Sequence, residues 1–120
     1  MNQRSLDELA RKKCVPCEGG VPLLPREKAL QYLEGLEGWR LGDNGKSIRR
    51  ELLMKDFVAA VDLIVRVKDA AEALDHHPDL HLTGYRRLVI ELSTHAIGGL
   101  SENDFILAAR IEKLPKALKA

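Results

Sequence analysis

All four histidines of this 120-residue chain, His76, His77, His81 and His95, fall within one window of twenty residues. Imidazole exchanges protons near neutral pH, so this window is where acid/base chemistry has to be sought. The run Glu72-Ala-Leu-Asp75-His76-His77-Pro78 puts two rings where a helix must stop. The last turn of a helix exposes carbonyls with partial negative charge, and Asp75 adds a full charge beside them, a setting that suits a proton donor. His95 follows Ser93-Thr94 at the end of a strand pattern. A second imidazole in a different environment can act as base, so that one site both gives and takes a proton. Zinc is the competing chemistry, because His77 and His81 stand four apart. Pro78 breaks the helix that would put them on one face, which leaves acid/base work ahead. Cys14-Val-Pro-Cys17 is half a zinc site or a minimal redox pair. With no second pair and no strand-helix-strand pattern around it, two reduced thiols in an arm come first, and a zinc role for Cys14 and Cys17 is the weaker alternative.

These residues need elements to hold them. The segment from Met1 to residue 24, with its prolines and glycines, reads as an N-terminal arm carrying the cysteine pair, and residues 25–120 as the folded domain. Pro25 opens a helix along which Ala29, Leu30, Leu33 and Leu36 recur. Trp39 to Leu41 and Ser47 to Leu52 flank Asn44-Gly45, a hairpin signal. Phe57, Ala60, Val61, Ile64, Val67, Ala71 and Leu74 then repeat at helical spacing, with Asp56 as cap and Pro78 as stop. Leu80 to Thr83 and Arg86 to His95 read as strands joined across Gly84-Tyr85. Ser101-Glu-Asn-Asp104 is a capping box ahead of a last helix striped by Phe105, Ala108, Ile111 and Leu114. The expected fold is α+β, a four-stranded antiparallel sheet with helices packed on one face, in the order α-β-β-α-β-β-α.

Composition excludes several functions. Nineteen basic against eighteen acidic residues give a net charge of +1, which provides no footprint for direct nucleic-acid binding. The longest apolar runs, Phe57–Val61 and Phe105–Ala109, are far below the ~18 residues that span a bilayer, and the N-terminus lacks the pattern of a secretory signal. The expectation is a cytoplasmic protein with no membrane segment. Aromatics make up only 4% of the chain, and small aliphatic-rich domains often complete themselves by self-association. Val58, Ala59, Val65 and Ala73 lie outside the main stripe of the long helix and offer a second surface for a homodimer or homotetramer.

The spacing Glu72-x3-His76-His77-Pro78-x6-Tyr85-x9-His95-x8-Asp104 resembles the signature of the pterin-4a-carbinolamine dehydratases at every interval. The resemblance runs from Gly38-Trp39 through Ile111, including Lys55-Asp56-Phe57 and Gly99-Leu100-Ser101. It implies a hydro-lyase that takes a small-molecule pterin, 4a-hydroxytetrahydropterin, to quinonoid dihydropterin in pterin recycling, with no cofactor and no metal. It further implies His76, His77 and His95 as the catalytic histidines, with Asp75, Pro78, Ser93 and Thr94 joining them in binding. Asp104 either caps the last helix or orients His95, and Glu72 either orients the site or solvates its helix face. Trp39 and Tyr85 read as packing residues and His81 as a rim or strand residue. Relatives of this family also act as a transcriptional coactivator and as RuBisCO assembly factors, so a non-catalytic interaction role on the same fold is the alternative.

Overall fold

The structure, a computed structural model, describes residues 3–12 and 22–120. Its longest helix is α3 (Phe57–Leu74), which starts where the Asp56 carboxylate accepts a hydrogen bond from the Ala59 N–H at 2.8 Å. It ends at Asp75, whose left-handed backbone (φ 51) turns the chain so that the His76 N–H bonds the Ala71 carbonyl. Before it come α1 (Gln3–Arg11), α2 (Arg26–Leu33), β1 (Trp39–Leu41) and β2 (Ile48–Leu53). After it come β3 (Asp79–Thr83), β4 (Arg87–Leu92), a 3-10 turn (His95–Ile97) and α4 (Glu102–Glu112).

The sheet is antiparallel throughout, in the order β1-β2-β4-β3. Its register puts Ile48 opposite Leu92, and Leu52 opposite Leu88. These side chains, with Ile90, are buried in the core shared with the helices. Side chains alternate across a strand, so the other face presents Arg40, Arg49, Glu51, Arg87 and Glu91. There Glu51 accepts from Arg87 at 3.2 Å and Arg40 at 3.5 Å. In the β1–β2 reversal the Gly45 N–H bonds the Gly42 carbonyl at 2.9 Å, and Gly45 itself takes a left-handed conformation (φ 72).

The α+β architecture is as expected, with four differences. Residues Gln3–Arg11 form a helix that the expected order lacks. It docks Leu9 into the core, and Arg110 donates to the Ala10 and Lys12 carbonyls at 2.8 Å. This second cover buries α4 almost all round, from Asn103 to Ala109, and not along one stripe only. Along α3 the core side is Ala60, Leu63, Val67, Ala71 and Leu74. Phe57 and Val61, expected in that stripe, join Val58 and Val65 on the exposed side. Two apolar series at three-to-four spacing compete along this helix, and the sheet takes the one that includes Leu63. The last strand stops at Leu92 and does not run to His95, because Thr94 and Gly99 pair and Gly98 (φ 68) turns the chain back. Tyr85, expected to pack, is exposed at the β3–β4 turn in a left-handed conformation (φ 55), with the Arg86 guanidinium 5.5 Å from its ring centre. Trp39 does pack, buried with its indole N–H donating to Glu112 at 2.6 Å. Among the described residues no helix is long and apolar enough to cross a membrane.

Candidate active site

Asp104 sits in the first turn of α4 and is wholly buried. Its Oδ2 accepts from the Ser101 N–H at 3.0 Å, completing the capping box, and from the Thr94 hydroxyl at 2.8 Å. Its Oδ1 lies 2.6 Å from Nε2 of His76, which is 5% exposed. A carboxylate only accepts, so the ring donates from Nε2 and turns Nδ1 the other way. Thr94 Oγ1 spends its proton on Asp104, so the 2.8 Å contact with Ser101 is donated by the Ser101 hydroxyl. Three segments, the exits of α3 and β4 and the entry of α4, are thereby joined at one carboxylate.

At the same corner, His77 Nε2 meets Glu72 Oε2 at 2.5 Å, both side chains being largely exposed. Glu72 lies one turn back along α3 and acts on His77. His77 and Glu72 thus repeat, in solvent, the imidazole–carboxylate pairing that His76 and Asp104 make in the interior.

His95 opens the 3-10 turn with its ring exposed. It lines a cleft of about 340 Å³ together with Ser93, Thr94, Gly98 and Gly99. The β1–β2 turn adds Asn44, Lys46 and Ser47 to the lining, and Asp79 and Glu91 come from the sheet. Ser93, Thr94 and His95 are therefore together in one cleft, and His76 is tied to it through Asp104 and Thr94. Asp75, His77 and Pro78 stand at the α3–β3 corner, outside the lining residues. His81 lies exposed on β3, opposite Val89.

Asp104 both caps α4 and orients an imidazole, but that imidazole is His76 and not His95, which the 3-10 turn carries to the cleft. Sequence reasoning passed over Asn44, Lys46, Ser47, Asp79 and Glu91. One signal was there: Glu91 stands two residues before Ser93, on the same side of its strand. Among the described residues no three histidine, cysteine, aspartate or glutamate side chains are grouped to hold a metal ion. Cys14 and Cys17 lie outside the described residues.

A family model described as pterin 4 alpha carbinolamine dehydratase matches residues 22–114. An Arabidopsis thaliana protein named pterin-4-alpha-carbinolamine dehydratase 2, mitochondrial, is 44% identical over 113 residues. The match covers 92% of this chain and 60% of that longer protein. A Nitrosospira multiformis protein carrying the pterin-4-alpha-carbinolamine dehydratase name is 44% identical over 110 residues, covering 92% of this chain and 95% of its own length. Among solved structures, the transcriptional coactivator/pterin dehydratase from Brucella melitensis superposes with a TM-score of 0.72 at 31% identity. That superposition covers 76% of this chain and 96% of the other.

Proposed function

Because the chain belongs to the pterin 4 alpha carbinolamine dehydratase family, we propose that it removes water from 4a-hydroxytetrahydropterin to give quinonoid dihydropterin, in the recycling of a pterin that an aromatic amino acid hydroxylase has used. The observation that carries this reading is the buried Thr94–Asp104–His76 chain set against the cleft that His95 lines.

The reaction breaks the bond from C4a to its hydroxyl oxygen, which leaves as water after receiving a proton. The ring nitrogen N5 gives up its proton, and its electron pair forms the new C4a–N5 double bond. Both transfers lie within the range of imidazole near neutral pH. His95 exchanges a proton with the reacting ring from the cleft wall. His77, donating from Nε2 to Glu72, presents Nδ1 as an acceptor. His76 and Asp104 fix the wall that carries Thr94, Ser93 lines the cleft beside it, and Asp75 and Pro78 extend the binding surface from the α3–β3 corner, where Pro78 leads directly into the cleft residue Asp79. Replacing His77 or His95 by alanine lowers the rate of dehydration by a factor of about 10² or more while the fold survives. Turnover by both variants at the parent rate overturns the reading.

One observation favours an additional protein contact. Phe57, Val58, Val61 and Val65 form an exposed apolar stripe on α3. We assign it to self-association as a homodimer or homotetramer in the cytoplasm, and the same stripe would serve a non-catalytic partner role.

A further inference from the structure

The 3-10 turn that carries His95 holds its own shape weakly. His95 and Ala96 are exposed and Ile97 is half-buried, so the turn puts little into the core. Its base is better held: the Thr94 N–H donates to the Gly99 carbonyl at 2.8 Å, and the Gly99 N–H to the Thr94 carbonyl at 3.4 Å. The incoming leg is anchored where the Thr94 hydroxyl donates to Asp104. The outgoing leg is Gly98-Gly99, and its two glycines answer different demands. Gly98 has a left-handed backbone (φ 68), and a Cβ there would meet open space among the described residues. Gly99 has no such backbone requirement, but a Cβ there would lie 2.7 Å from Cδ1 of Leu23. Gly99 is bare because Leu23 stands on it.

Leu23 belongs to Pro22-Leu23-Leu24-Pro25, the stretch that leads into α2. Pro22 fixes its own φ and Pro25 keeps Leu24 extended, so this strap is stiff before anything packs on it. The Leu24 N–H donates to the Leu100 carbonyl at 2.8 Å and the Leu24 side chain packs against the core, which leaves the Leu23 side chain over Gly99. Leu23 is more than half exposed, so its contribution to folding is small. We propose that Leu23 is a positioning residue for His95: its side chain covers the outgoing leg and keeps the turn closed with the imidazole in the cleft. The proposal rests on the dehydratase reading above. It separates two supports of one loop, the buried carboxylate under Thr94 and the strap over Gly99.

The test measures dehydration of 4a-hydroxytetrahydropterin formed in situ, thermal melting, and the NMR signals of ¹⁵N-labelled histidine rings. In Leu23→Ala kcat falls about fivefold, the equivalent of about 1 kcal/mol. KM stays within about twofold of the parent, because the turn loses its hold on the imidazole and the rest of the cleft is unchanged. The His95 ring signals broaden, while those of His76, held by Asp104, stay sharp. Leu23→Met restores the cover and with it the parent kcat. Gly99→Ala pushes Leu23 off and lowers kcat in the same way, and the double variant loses less than the two single losses combined, since the collision is gone. A Leu23→Ala protein with the parent kcat and a sharp His95 ring overturns the positioning role and leaves the dehydratase standing. Broadening of both rings with a fall in melting temperature of more than about 5 °C makes Leu23 a general packing residue and overturns it equally. A parent protein that does not turn the substrate over refutes the dehydratase reading and the role of Leu23 with it.

Discussion

Removing the Asp104 carboxylate tests the centre of the site most directly. In Asp104→Ala three donors, the Ser101 N–H, the Thr94 hydroxyl and the His76 Nε2–H, lose their acceptor in an interior where each of their residues is at most 5% exposed. A buried donor left unsatisfied costs about 1–3 kcal/mol, so three of them, partly relieved by local rearrangement, give an expected loss of about 3–5 kcal/mol for the whole node. Unfolding entropy of ~2.1 cal/mol/K per residue over 120 residues gives about 0.25 kcal/mol/K. The melting temperature should therefore fall by roughly 12–20 °C. Asp104→Asn behaves differently. Its amide oxygen can keep the Ser101 and Thr94 donors only if the NH2 group faces His76, which must then accept at Nε2 and carry its proton on Nδ1. Stability falls by about 1–2 kcal/mol, since neutral hydrogen bonds replace charged ones, yet the imidazole is locked in the other tautomer. Calorimetry reads the first effect and the ¹⁵N shifts of the His76 ring the second, while dehydration slows by about 10²-fold in the asparagine variant. An alanine variant that melts within about 3 °C of the parent refutes the stability reasoning. An asparagine variant with the parent tautomer and full turnover refutes the positioning role.

Two further outcomes follow from the packing. Tyr32 donates to Glu102 at 2.6 Å, and burial first, then Glu102, pushes its phenol up to about 12. The folded value lies above the ordinary 10, so this contribution is whole below pH ~10 and drains away as the pH rises towards 12. The stability gap between the parent and Tyr32→Phe, measured by urea unfolding, should therefore be wider near pH 8 than near pH 11.5, and an unchanged gap contradicts the assignment. Placing aspartates at Val58 and Val65 puts charge on the exposed stripe of α3 without touching the core. Light scattering should then report a monomer where the parent is a dimer or tetramer, and a parent that is itself monomeric removes the stripe's proposed purpose.

Local chemistry was legible from the sequence wherever one segment decides the outcome. Asp56 caps, Asn44-Gly45 turns and Ser101 with Asp104 closes a capping box, because each acts on backbone within four residues of itself, while α3 ends at the left-handed Asp75, ahead of the Pro78 that the sequence offers as its stop. Reading failed where distant segments compete. Phe57 and Val61 were as eligible for the core as Leu63, and only the docked sheet breaks that tie. Whether Asp104 serves His95, nine residues away, or His76, twenty-eight residues away, depends on a turn at Gly98 that carries the nearer ring off. The helix Gln3–Arg11 has a charged sequence with few apolar residues, and its burial of Leu9 depends on α4 being there to receive it. As for the candidate residues, the histidines stood out by type, while the turn and sheet residues of the cleft did not, since single lysines, serines and glutamates are ordinary surface chemistry until a cavity gathers them.

The junction of His76, Thr94, Ser101 and Asp104 also constrains how this sequence can drift. Each member uses another's donor or acceptor, so a change at any one of the four strands a partner in the dry interior. A wholly apolar replacement of the set could fold as well as the original, yet every path to it by single substitutions crosses intermediates weaker than either end. The four positions should therefore be inherited as a block, fixed together or exchanged together, even in a descendant that no longer needs the histidine for chemistry.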